Sequence, residues 1–162
     1  MINEFEPVTR ELMILLKQWE PGLLEVSDTV LSQRGNSQHR TIKLILGHIM
    51  DSATNNTHRI VHLQYQKSPL TYPNYATEGN IDRWIAIQNY QEENWTDMIQ
   101  LWKHLHLHLV HVIMNINPAK LDNKWNSEPD HGNVTLRDMV VHFLRHFKLH
   151  LGEIEELMSR KD

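Results

Sequence analysis

The chain has 162 residues, 40% hydrophobic and 22% charged, with a formal net charge of −4 and no cysteine. That length suits one domain with one core over residues 1–162, and the missing cysteines exclude disulfides, thiolate nucleophiles and thiolate metal ligands. The acidic balance offers no general attraction to nucleic acid or anionic lipid; the unusual feature is twelve histidines, so any metal must sit on nitrogen and oxygen.

Helical periodicity dominates, and no convincing strand pattern, repeat or low-complexity tract is present. The first helix is expected from Glu4 to Trp19, with Leu12, Leu15, Leu16 and Trp19 apolar, closed by Pro21-Gly22. Its acidic, amphipathic start lacks the basic and apolar regions of a secretory signal, and no apolar run approaches the ~20 residues of a bilayer span. A cytoplasmic protein without a membrane segment is expected. After a loop, TVLSQRGNSQHR, the second helix should run from about His39 to Gln66, with Ile42, Ile45, Ile49, Ile60 and Leu63 on one stripe. A loop, KSPLTYPNYATEGN, precedes a short helix, IDRWIAIQNY. The third long helix spans about Trp95 to Asn115, ended by Asn117-Pro118. The fourth begins at TLRD, where Thr135 and Asp138 can form a capping box, and ends near Ser159. Four amphipathic helices burying their stripes on one another predict an all-α fold, a four-helix bundle with an additional short helix between the second and third long helices.

In VVHFLRHFKLHLGEI, histidines fall at 142, 146 and 150, each four residues after the last. The apolar face of this helix is Leu136, Val140, Phe143, Phe147, Leu151 and Ile154. At 100° per residue, His150 lies about 60° from its centre, His146 about 100° and His142 about 140°. His150 and His146 can therefore turn inward, while His142 borders that face. His48 of the second helix lies about 90° from its own stripe. Two imidazoles at i and i+4 plus one from a facing helix suit a transition metal and leave a position for water or substrate. A hydrogen-bonded histidine at the edge of an apolar face is the bland alternative. WKHLHLHLVH supplies a competing row, His104, His108 and His111, from which His108 and His104 could add a ligand; His106 points the other way and is expected in solvent.

These stretches resemble the DinB-like superfamily of four-helix bundles. GHIMDSATNN matches its G-H-[IL]-x-D-S-A motif, HFKLHLGEI its H-x-x-x-H-x-G-[QE]-I motif, and RWIAIQNYQEENW its W-x-x-x-Q-x-Y segment followed by Trp. The resemblance implies a metal held by His48, His146 and His150. Zinc or nickel are the first candidates, with manganese or iron as further ones. Glu153 stands where many relatives have Gln and could accept a bond near the site. Asp51 is a candidate to orient His48. Asn55 and Arg59 continue the edge of Asp51, where Arg59 could hold an anionic substrate, under a mouth covered by Trp84, Gln88 and Tyr90.

The resemblance further implies a metal-dependent enzyme of thiol S-transferase or hydrolase type, with a small-molecule substrate such as a low-molecular-weight thiol, and a homodimer. The alternative is a non-catalytic metal-binding or stress-response interaction protein with a structural metal. Coordination discriminates them: an open position reached from a cleft favours catalysis, and closure by His108 or Glu153 favours structure.

Overall fold

A computed structural model describes residues 3–77, 79–127 and 132–160. Four long helices form the bundle: α1 (Glu6–Leu24), α3 (Ile42–Tyr65), α5 (Trp95–Met114) and α6 (Leu136–Ser159), with short helices α2 (Asp28–Gln33) and α4 (Asn80–Gln88) between them. Helix α3 is the central element, packed on α5 and α6, while α1 lies against α5. The stripes read from the sequence meet in one core, whose largest fully buried side chains include Trp102, Phe147, Leu12, Ile45 and Ile49. No helix among the described residues is long and apolar enough to cross a membrane.

The helix ends show where local signals gave way. Helix α1 continues through Pro21 to Leu24 rather than stopping at Pro21-Gly22. Proline removes one helical hydrogen bond, but Lys17 and Pro21 lie on the exposed side, where water can satisfy the freed carbonyl. Extending the helix buries Leu23 completely and sets its carbonyl to accept from Trp95 Nε1 at 2.8 Å. Burial of one leucine contributes about 2 kcal/mol. Helix α3 starts later than His39, because His39 has φ 60°, in the left-handed region, and Thr41 caps the helix through Leu44 N. Helix α2, inside the expected loop, is too short for periodicity to reveal; Ser27 caps it and Leu31 is buried.

Contrary to the absence of strands expected from the sequence, a small sheet is present. Strand β1 (Leu70–Thr71) runs parallel to β2 (Lys124–Asn126), which pairs antiparallel with β3 (Asn133–Thr135). Strands of two or three residues carry no readable alternation. The sheet places Trp125 beside α3, and β3 leads straight into α6. Thr135 therefore ends a strand and caps a helix: its hydroxyl accepts from Asp138 N at 3.0 Å and donates to the Asp138 carboxylate at 2.7 Å.

His106 is a correction. Instead of lying in solvent, it is fully buried on α5 in line with Met98, Trp102, Leu109 and Ile113. Its ring sits 4.8 Å from that of Phe147, and its Nδ1 bonds to the Trp102 carbonyl at 2.6 Å. Leucines at 101, 105, 107 and 109 leave the apolar period of this helix ambiguous, and packing against α6 decides it. Burial pushes the His106 imidazole down to about 4, so it is neutral at pH 7.

Candidate metal centre

Helix α3 buries two faces. Besides its apolar stripe, it holds His48, Asp51, Ser52, Asn55, Asn56 and Arg59 all under a tenth exposed. A buried polar stripe is costly unless each group has a partner, and the partners sort these residues into two rows.

The first row meets α6. The Nε2 atoms of His48, His146 and His150 converge, 3.2 Å apart for His48–His146, 3.1 Å for His48–His150 and 3.0 Å for His146–His150. Their other nitrogens face outward to separate partners. His48 Nδ1 contacts the Tyr75 hydroxyl, His150 Nδ1 meets Glu153 Oε2 at 2.9 Å, and His146 Nδ1 lies 3.5 Å from Ser52 Oγ. The Tyr75 hydroxyl can donate onward to the His48 carbonyl at 3.5 Å, which leaves its oxygen to accept from Nδ1–H. The Glu153 carboxylate likewise assigns the His150 proton to Nδ1. Both tautomers leave bare Nε2 lone pairs at the centre of the triangle.

This donor set fits a metal ion. An imidazole nitrogen is either donor or acceptor, so three mutually facing Nε2 atoms cannot satisfy one another in a ring. Three nitrogens held at about 2.0–2.1 Å from one ion would stand roughly 2.8–3.4 Å apart for angles between about 90° and 109°, a range that contains all three sides of the triangle. Among the described residues, this is the one group of three or more histidine, aspartate or glutamate ligand atoms lying within 4.8 Å of one another. Burial, then the neighbouring His150 and His146, push the His48 imidazole down to about 2. Burial followed by His150 and Arg59 pushes His146 down to about 4. Both are therefore neutral at pH 7, the form that coordinates metal.

The other expected residues are placed as follows. Asp51 does not reach His48. Its Oδ1 accepts from Tyr90 OH at 2.6 Å and Gln88 Nε2 at 2.7 Å, its Oδ2 is buried without a partner, and burial raises its carboxyl. It ties α3 to the α4 end, with Asn55 behind it donating to the Asp51 carbonyl at 2.9 Å. Tyr90 is buried against Gly47 rather than covering a mouth, and Gln88 lies outside the cavity lining. Trp84 is 39% exposed and meets the Tyr75 ring edge-on at 5.1 Å. His104, His108 and His111 are exposed on α5 and do not join the triad.

A cavity of about 530 Å³ opens onto the triad, lined by His48 and His146, by Ser52, Asn56 and Arg59 further along α3, and by an apolar wall that includes Met139 and Phe143. Exposed His142 stands at its rim. The cavity row of α3 is thus His48, Ser52, Asn56 and Arg59, one helical step round from the Asp51–Asn55 edge. Ser52 was legible as the residue four after His48. Tyr75 and Trp125 were not, because both lie between the long helices, Tyr75 in a loop and Trp125 in the short strand β2.

The model of the DinB superfamily matches residues 8–154. The chain belongs to the DinB superfamily. Among curated proteins no sequence matches significantly. Among solved structures, YfiT from Bacillus subtilis is similar to this DinB chain with a TM-score of 0.75 and 15% identity, over 94% of this chain and 86% of the other. YfiT is described as a probable metal-dependent hydrolase with an unusual four-helix bundle topology. The similarity establishes the shared bundle fold.

Proposed function

We propose that His48, His146 and His150 hold one divalent transition ion, and that the protein is a metal-dependent enzyme of thiol S-transferase or hydrolase type acting on a small molecule. Zinc or nickel are the first candidates, manganese or iron the next. The observation that carries the reading is an outward-braced triad of converging Nε2 atoms beside a cavity, with neither of the residues that could have closed the fourth position in place to do so. Glu153 is engaged by the outer nitrogen of His150, and His108 is on the surface. A bound metal supplies Lewis acidity that lowers the pKa of a coordinated water or thiol towards neutrality.

The chain's own groups do the positioning. Tyr75 holds the His48 ring, and Glu153 fixes the orientation of the His150 ring. Phe143 and Met139 shield one side of the cavity from water. His142 adds an exposed imidazole at the rim of the cavity.

The test is metal content by plasma mass spectrometry on tag-free protein, with His48→Ala and His146→Ala alongside. About one equivalent in the native protein, lost in both variants, is expected. Chelator should then lower the melting temperature, because a ligand at 100 times its Kd stabilises the folded state by about 2.7 kcal/mol. Absence of bound metal after incubation with zinc, nickel and manganese would refute the reading.

A further inference from the structure

Arg59 is the charged residue whose surroundings the metal centre leaves unexplained. It is 7% exposed, yet no carboxylate among the described residues pairs with it. Its Nε donates to the Asn55 carbonyl at 3.2 Å, and its guanidinium carbon stands 4.1 Å from the centre of the Trp125 ring. Those contacts hold the side chain by its near edge and one face. The two terminal nitrogens have no acceptor among the described residues, and neither is a fully enclosed orphan; the residue lines the cavity. Among the described residues lining that cavity none is acidic.

A buried guanidinium lacking a counter-ion is unfavourable, and an aromatic face compensates it only in part. Burial pulls its pKa down to about 10, which leaves it cationic at neutral pH. A purely structural side chain at this place could be apolar, since Ile81, Val134, Met139 and Phe143 already line the same cavity. The terminal edge of a guanidinium is a planar fork matched to the two oxygens of a carboxylate.

We propose that Arg59 is an oxyanion subsite, and that the molecule bound beside the histidine triad carries a carboxylate at the end remote from the reacting group. This rests on the metal-centre reading for which end reacts, but the anion subsite stands on its own contacts. Eleven residues separate His48 from Arg59, about 16 Å of helix rise. The arginine side chain leans back towards the N-terminus of its helix and shortens that span. A cavity of this size takes a small molecule with an apolar body between two polar ends. Such a ligand would meet the triad at one end, the apolar wall along its length and the fork of Arg59 at the other.

The test compares 3-phenylpropionate with its neutral amide by titration calorimetry, on native protein, Arg59→Met and Arg59→Lys, each in metal-loaded and chelator-treated form. The native protein should bind the acid at least about tenfold more tightly than the amide, as a charge-assisted pair predicts. Arg59→Met should erase that preference while still binding the amide, and Arg59→Lys should keep part of it. The preference should survive chelation, which separates it from direct coordination of the carboxylate. A protein that binds no metal but keeps the preference would sink the metal reading alone. Equal binding of acid and amide by the native protein, binding of neither, or a preference that persists in folded Arg59→Met would overturn the subsite.

Discussion

Gly47, the glycine before His48, sets the approach of Tyr90 to α3, and Gly47→Ala measures how tightly that junction is packed. A Cβ built there would lie 2.1 Å from Tyr90 Cδ2 and 2.5 Å from Cε2, whereas carbon atoms in contact sit about 3.5–4.0 Å apart. The ring must therefore move by more than an ångström, and it is part of the fixed scaffold: Tyr90 is 4% exposed and donates to Asp51 at 2.6 Å. Overpacking of this kind costs about 1–3 kcal/mol. Loss of the Tyr90 bond would leave a buried carboxyl short of a donor, for a further ~1–3 kcal/mol. Alanine recovers about 1 kcal/mol through its helix propensity. The net expectation is destabilisation by about 1–5 kcal/mol, read by urea denaturation as a lower midpoint at unchanged m-value. Tyr90→Ala combined with Gly47→Ala should cost less than the sum of the two single changes, because the clash disappears with the ring. A Gly47→Ala protein as stable as the native one, or more stable, would show that Tyr90 has room to yield and that the close approach is not what requires glycine.

Removing the outer braces of the triad should weaken metal binding without abolishing it: Tyr75→Phe and Glu153→Ala are each expected to lower affinity about 10–100-fold, measured by competition with a chromophoric chelator. Unchanged affinity in both would mean that the Nδ1 contacts do not orient the ligands. His108→Ala on the exposed row should leave metal content at the native value, and a loss would bring that row back as a ligand source. Acid should destabilise the protein through His106. Its folded-state pKa of about 4 lies below the ordinary 6.5, so its contribution is fully present above pH 6.5 and is lost as the pH falls through the window down to about 4. The gap corresponds to about 3 kcal/mol. His48 and His146 act in the same direction, so His106→Leu should flatten the pH dependence of unfolding over that window in part, and a profile identical to the native one would refute the assignment.

The sequence by itself determined the helical bundle, because amphipathic stripes such as Ile42, Ile45, Ile49 and Ile60 have one way to leave water, and caps such as Thr135 act within a single turn. It also marked His48, His146 and His150 as side chains on the inward edges of two helices, since helical spacing dictates direction. Contacts between distant segments were beyond its reach. Pro21 lies inside α1 because burying Leu23 and bonding Trp95 outweigh a lost backbone bond at an exposed turn. His106 is in the core because α6 selects one face of a helix that has leucines all round. Only tertiary structure brought Tyr75 from a loop to the back of His48, assigned Asp51 to Tyr90 instead of to a histidine, and set Arg59 on Trp125 with no carboxylate partner among the described residues. Periodicity fixes where a side chain points, whereas the identity of what it meets depends on segments tens of residues away, whose approach is decided by packing the whole chain.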